Sequence, residues 1–136
     1  YWASLAYRPG HKGVTTDAIV PISRLAEAVL GAKQDIVESG FTAPVVGHAG
    51  DGNFHALILV PDGDAEALAR AWALDRKIVA RAMALGGSCS GEHGVGLGKR
   101  EFLEREHGAE ALAVMRSLKA VLDPRGILNP GKMFLN

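Results

Sequence analysis

Histidine and acidic side chains concentrate in two glycine-rich segments of this sequence. The first segment, GHAGDGNFH, runs from Gly47 to His55, and the second, SGEHGVG, runs from Ser90 to Gly96. Together they carry three histidines. Imidazole is a common ligand of divalent metals and a common acid–base group at neutral pH. The two segments therefore predict a metal site, a proton-transfer site or both.

Three side chains in these segments form a candidate metal-binding set. His48 and His55 flank a glycine-rich turn, and folding of that turn would bring both imidazoles to one face of a hairpin. Glu92 would complete a His2Glu set that leaves positions open for water or substrate. The alternative is that the histidines are ordinary turn residues and that the second segment is a surface loop.

The remaining reactive side chains have simpler interpretations. His93 follows Glu92 and is the candidate general base, because imidazole exchanges protons near neutral pH. Cys89 is expected to be a small packed thiol and not a nucleophile. The other two histidines, His11 and His107, are expected at exposed or capping positions. The tryptophans Trp2 and Trp72 are expected in the core.

Composition limits the classes of function. Fifteen basic residues balance fifteen acidic ones, so nothing predicts a nucleic acid partner. The single cysteine excludes an internal disulfide. The sequence contains neither a membrane-spanning apolar run nor a signal-peptide pattern. Because it begins without methionine and within a helical pattern, we interpret it as the C-terminal piece of a longer protein.

Periodicity and turn residues predict an α+β domain. A small antiparallel sheet would be covered by helices on one side, as in a ferredoxin-like cap domain, and followed by a helical tail. Helix signals cover residues 1–7, 23–39 with Ser23 as N-cap, 64–85, 99–106 and 109–122. Strand signals cover 13–21, the hairpin arms 43–46 and 54–60, and a short strand at 88–90.

Four ordered motifs carry a family resemblance over essentially the whole chain. They are TTDAIVPISRLAE, GHAGDGNFH, GGSCSGEHGVGLGKR and LDPRGILNPGKMF. These stretches resemble the C-terminal region of FAD-linked D-2-hydroxy acid dehydrogenases, a group of vanillyl-alcohol-oxidase-like flavoproteins. The similarity is greatest to cytochrome-type D-lactate dehydrogenases and to the flavoprotein subunit of glycolate oxidase.

The resemblance implies roles for individual residues. His48 and His55 match the family's metal-ligand histidines, and Glu92 matches its glutamate ligand. His93 matches the proposed catalytic base, and Asn53 is expected to orient the turn or the site.

The resemblance also implies a reaction. A D-2-hydroxy acid, D-lactate in the first place, would be oxidised to the 2-oxo acid with a zinc, manganese or iron ion assisting. Asn129 would lie near the flavin. Residues 1–136 would form the substrate- and metal-binding domain, and FAD would be bound mainly by an N-terminal domain of the same polypeptide. The fragment alone would be inactive. A cytoplasmic location is expected, peripheral to the respiratory membrane in the full-length protein, with an unspecified electron acceptor.

Two other functions compete with this interpretation. One is a stand-alone metal-binding or interaction module without catalysis. The other is a metal hydrolase in which His48, His55 and Glu92 hold the ion and His93 activates water.

Overall fold

One long strand organises the part of the chain up to Glu92. In the computed structural model, which describes residues 2–134, this strand lies in the middle of an antiparallel sheet. The strands are β1 (His11–Thr15), β2 (Ala18–Ile19), β3 (Val45–His48) and β4 (Asn53–Pro61). β1 and β2 pair with β4, and β3 also pairs with β4, as the predicted hairpin requires. The α+β class with a small antiparallel sheet is confirmed.

The predicted strand at 13–21 is divided into β1 and β2 by a two-residue break. The register nevertheless continues across the break. Thr15 opposes Leu57, and Ala18, three residues later, opposes Phe54, three residues earlier. The two short strands therefore form one edge of β4 that is interrupted only at Thr16 and Asp17. The expected strand at 88–90 is reduced to a single antiparallel bridge between Ile19 and Ser88.

Two long helices cover one face of the sheet. The helices of the chain are α1 (Trp2–Tyr7), α2 (Leu25–Ser39), α3 (Ala65–Ala84) and α4 (Leu103–Leu122). Alternate residues of β4 pack with α2 and α3 in the core, among them Phe54 and Ile58. Gly40 ends α2 in a left-handed conformation, and the Asp64 carboxylate accepts the Ala67 N–H at the start of α3.

An ion-pair cluster joins α2 to α3. The carboxylate of Asp35 is buried and accepts hydrogen bonds from the Arg81 guanidinium, at 2.8 Å from Nη2. The Lys77 ammonium lies 2.8 Å from the same carboxylate. Burial raises the pKa of Asp35, but the hydrogen bonds and charges of Lys77 and Arg81 outweigh it and hold that pKa below its usual value.

Residues from His93 onward form a second compact unit. A short 3-10 helix, Arg100–Phe102, leads into α4, and Gly108 interrupts the helical geometry with φ 81° and ψ 160°. The two predicted helices at 99–106 and 109–122 therefore meet at a glycine kink. Within residues 2–134, no helix has the length and apolar character needed to cross a membrane.

Two expectations about side chains are wrong. Trp2 is 81% exposed and Trp72 is 42% exposed, so neither is a core residue. α1 has only six residues, too few to bury an apolar face, and in α3 the sheet is contacted by Ala71 and not by its neighbour Trp72. Ser23 is not the N-cap of α2, because it lies inside a 3-10 helix that precedes Leu25.

Candidate functional site

The β3–β4 hairpin positions both candidate histidines. In its register His48 opposes Asn53 and Val46 opposes His55. Opposing residues project to the same face, and so do residues two apart on one strand. The imidazoles of His48 and His55 consequently share a face, with ring centroids 5.9 Å apart and ring planes at 85°. The opposite face carries Phe54, which is in the core.

The turn of this hairpin requires glycine at one position. Gly52 adopts φ +77°, and a Cβ built there would lie 2.1 Å from the carbonyl oxygen of Val20. That oxygen belongs to the edge that continues β2, and the Val20 N–H donates to the Gly52 carbonyl at 3.0 Å. The turn is therefore packed against the sheet edge, which fixes the strand ends that carry the histidines.

A break in the edge strand orients His55. The Ala56 N–H donates to the Thr16 hydroxyl at 2.8 Å, where a regular ladder would use the Thr16 carbonyl. That carbonyl lies instead 3.0 Å from Nδ1 of His55. A carbonyl only accepts hydrogen bonds, so Nδ1 carries a proton and Nε2 presents its lone pair in the neutral ring. Thr16 thus selects the nitrogen that is available to a ligand.

The Glu92 carboxylate lies close to both imidazoles. Its Oε1 lies 2.9 Å from Nε2 of His55 and 3.6 Å from Nε2 of His48. The side chain of His55 is only 9% exposed, while those of His48 and Glu92 are 58% and 47% exposed. One candidate ligand is therefore anchored in the sheet, and the other two are accessible from solvent.

The donor set and its spacing fit a divalent metal. Two ligand atoms bound to one first-row ion at about 2.1 Å lie about 3.0–3.4 Å apart at octahedral or tetrahedral angles. The two Nε2–Oε1 distances, 2.9 Å and 3.6 Å, lie just below and just above this range, and the candidate ligand atoms of all three residues lie within 4.8 Å of one another. A lone pair on His55 Nε2 facing a carboxylate oxygen is stable only when a proton or a cation lies between them. Such a set also leaves coordination positions open, as catalytic metal sites do.

Asn53 packs against Gly91, in the segment that carries Glu92. Its side chain is buried, and a Cβ added to Gly91 would lie 2.4 Å from its Oδ1. Within residues 2–134 no hydrogen-bond donor reaches that Oδ1. The contact supports the prediction that Asn53 helps to orient the site, and it explains why residue 91 is glycine.

The other candidate residues are placed as follows. His93 follows Glu92, opens the second unit and is exposed, while Asn129 is exposed in the tail with φ 47°. Cys89 is buried, so the expectation of a packed thiol is confirmed. His107 is exposed, and Nδ1 of His11 lies 3.2 Å from the Pro9 carbonyl.

Sequence reasoning missed the roles of Thr16 and Asp17. Both side chains are buried although they are polar and interrupt an edge strand. The available signal was the pair Thr16–Asp17 inside an otherwise apolar, β-branched run, because a buried polar pair in a strand has to be satisfied by something outside the ladder.

Comparison with known proteins identifies the family. Residues 1–133 match the family described as FAD linked oxidases, C-terminal domain. The chain belongs to this family. As an FAD linked oxidase C-terminal domain, it is 46% identical over 133 residues to "Probable D-lactate dehydrogenase, mitochondrial" of Danio rerio. It is 44% identical over 132 residues to "D-lactate dehydrogenase [cytochrome], mitochondrial" of Arabidopsis thaliana.

These relatives are much longer than this FAD linked oxidase C-terminal domain. The alignments cover 98% and 97% of this chain but only 27% and 23% of the two relatives, so the chain spans about a quarter of their length. The fold also resembles that of 4-ethylphenol oxidase from Gulosibacter chungangensis, with a TM-score of 0.74. That match covers 98% of this chain and 26% of the other at 17% identity, and it bears on the fold alone.

Proposed function

We propose that this chain is the substrate- and metal-binding domain of a flavin-dependent dehydrogenase that oxidises a D-2-hydroxy acid, D-lactate in particular, to the 2-oxo acid. The single observation that carries the proposal is the convergence of His48, His55 and Glu92 in a domain of the FAD linked oxidase family. The names of its D-lactate dehydrogenase relatives support the choice of substrate.

In this proposal the three side chains hold a zinc, manganese or iron ion. When bound, such an ion supplies a Lewis acid for the carboxylate and hydroxyl oxygens of a small hydroxy acid. His55 contributes the fixed ligand, since Thr16 orients its ring and the sheet buries it. His48 and Glu92 complete the set from the solvent side.

His93 is the proposed base. It accepts the proton of the substrate hydroxyl on a ring nitrogen as the C–H bond is broken. Its position immediately after Glu92 in the chain supports this role, because the ligand and the base then belong to one short segment. Metal binding by Glu92 and proton transfer by His93 would then be coupled through the backbone that joins the two residues.

FAD supplies the hydride acceptor of the proposed reaction. The rest of the full-length polypeptide would hold most of it, and Asn129 is proposed to lie near it. Oxidation of the acid would therefore need the whole protein. The cytoplasmic location, peripheral to the respiratory membrane in the full-length protein, remains a prediction.

The test is anaerobic reduction of the flavin in the full-length protein that contains this chain. We expect D-lactate, and not L-lactate, to bleach the flavin spectrum. His55→Ala should keep its flavin but lose most of its metal and its rate. His93→Asn should keep both and lower the reduction rate by about 10²–10⁴-fold. His11→Ala, which removes an imidazole outside the candidate site, is the matched control.

Three results would contradict parts of the proposal. An unchanged rate of flavin reduction in His55→Ala would show that a metal at this site takes no part in the reaction. An unchanged rate in His93→Asn would show that His93 is not the base. Faster reduction by glycolate or D-2-hydroxyglutarate than by D-lactate would keep the reaction class and replace the substrate.

A further inference from the structure

A buried carboxylate accepts hydrogen bonds from the segment that carries Glu92. Asp17 is 2% exposed and occupies the break between β1 and β2. Its Oδ2 accepts hydrogen bonds from the Ser90 hydroxyl at 3.0 Å, from the Gly91 N–H at 3.1 Å and from the Glu92 N–H at 3.2 Å. Three consecutive residues of one loop therefore donate to one carboxylate.

This arrangement has a clear physical reason. An ionised carboxylate is costly to bury unless donors replace its water, and charge-assisted hydrogen bonds are stronger than neutral ones. The donors of the loop satisfy Asp17, and Asp17 in turn fixes the backbone of the loop. Because the hydrogen bond at Glu92 is made by its own N–H, the direction in which its side chain leaves the backbone is set by the same contact.

Asp17 also borders the fixed histidine. Its Oδ1 lies 3.9 Å from Nδ1 of His55, whose hydrogen bond goes to the adjacent Thr16 carbonyl. The dipeptide Thr16–Asp17 thus contacts two of the three candidate ligands, one through a ring nitrogen and the other through its backbone. The break in the edge strand makes the contact with His55 possible, since a regular strand would use the Thr16 carbonyl in the ladder.

We propose that Asp17 is a positioning residue that holds Glu92 opposite His48 and His55. It does not bind the metal itself but acts through the 90–92 backbone. The effect on metal affinity rests on the proposed function, whereas the effect on the loop does not. Partners that orient metal ligands commonly change affinity by about 10–100-fold when they are replaced.

The test compares Asp17→Asn with Asp51→Asn in the 136-residue chain. Asn carries no negative charge and has one acceptor oxygen, so the hydrogen bonds of the loop lose their charge assistance, and the contact of the Glu92 N–H with Oδ1 at 3.3 Å is lost. Asp51 is exposed in the hairpin turn, and its substitution removes one negative charge near His48 without affecting the 90–92 segment. Circular dichroism first establishes that both variants retain the fold of the parent.

Two readouts separate positioning from a general structural role. In metal-free protein, amide hydrogen exchange at Gly91 and Glu92 should accelerate about tenfold or more in Asp17→Asn and stay unchanged in Asp51→Asn. In Co²⁺ titrations, Asp17→Asn should bind about 10–100-fold more weakly but reach the parental visible spectrum at saturation. An altered spectrum at saturation would make Asp17 a ligand and overturn the proposal.

The remaining outcomes also decide the question. Parental exchange rates at Gly91 and Glu92 in Asp17→Asn, or parental Co²⁺ affinity in a folded variant, would contradict the positioning role. If the parent chain binds no Co²⁺, the metal part of the proposed function fails, and the exchange rates alone decide the role of Asp17.

Discussion

Oε1 of Glu92 lies 2.9 Å from Nε2 of His55, although a loop after α3 carries the first residue and the central strand carries the second. Nδ1 of His55 is committed to the Thr16 carbonyl, so this short contact joins a ring nitrogen that can bind a cation to a carboxylate that can do the same. The contact is the shorter of the two that Glu92 makes with the histidines of the candidate metal site.

The first prediction concerns metal content. After exchange into metal-free buffer and back-titration, the parent chain should bind close to one equivalent of Zn²⁺, Mn²⁺ or Fe²⁺, measured by elemental analysis. His55→Ala removes the anchored ligand and should abolish stoichiometric binding. His11→Ala should bind like the parent. Equal metal content in His55→Ala and the parent would contradict the assignment of the ligands.

The second prediction concerns Gly91, the residue before Glu92. Gly91→Ala would place a Cβ 2.4 Å from Oδ1 of the buried Asn53 amide, so one of the two must move. We expect the free energy of unfolding to fall by about 1–3 kcal/mol in urea denaturation. Gly50→Ala is the matched control, because within the described part of the chain no atom lies within 4 Å of its added Cβ. Equal stabilities would show that the loop relaxes freely.

The third prediction concerns acid stability. The pKa of Asp35 is lowered in the folded chain, so between the folded and unfolded pKa values the unfolded chain binds more protons. The free energy of unfolding should therefore decline as the pH falls through about pH 4 and below, and it should be fully recovered above that pH. Equilibrium denaturation between about pH 2 and pH 6 measures this slope.

Asp35→Asn tests the assignment of that slope. The variant should lose part of the acid dependence and about 1–3 kcal/mol of stability near neutral pH, because Arg81 and Lys77 lose their charged partner while remaining half-exposed to water. Asp62→Asn, at an exposed turn, should leave both quantities close to those of the parent. An unchanged acid slope in Asp35→Asn would assign the dependence to another group.

The fourth prediction concerns the tail of the second unit. The Asp123 carboxylate pairs with the Lys119 ammonium and accepts the N–H groups of Ile127 and Leu128. The Lys119 hydrogen bond lowers the pKa of Asp123 against the opposing effect of burial, and the two backbone N–H groups lower it further. Asp123→Asn should accelerate amide exchange at Ile127 and Leu128 while leaving exchange in α3 unchanged. Arg125→Gln, an exposed change in the same turn, is the control.

The sequence by itself determined the hairpin and the shared face of its two histidines. Strand alternation and a turn rich in glycine are local properties, so they placed His48 and His55 on one face before any contact was known. The same applies to the start of α3 near Asp64 and the end of α2 near Ser39, since the signals that begin and end helices act within a few residues. Motif order also sufficed to indicate the family, which residues 1–133 match.

Only the tertiary structure decided how the third candidate ligand, Glu92, is brought to the two histidines. Glu92 is held by Asp17 from a distance of 75 positions, and no periodicity links residues so far apart. The break at Thr16 and Asp17 was likewise decided by tertiary contacts. The polar pair is a signal in the sequence, but β-branched propensity favours a continuous strand there, and the hydrogen bonds that interrupt it come from His55 and from the loop. The exposure of Trp2 and Trp72 was also decided by tertiary packing. Helical periodicity shows which residues share a face, but packing determines how wide a face is covered.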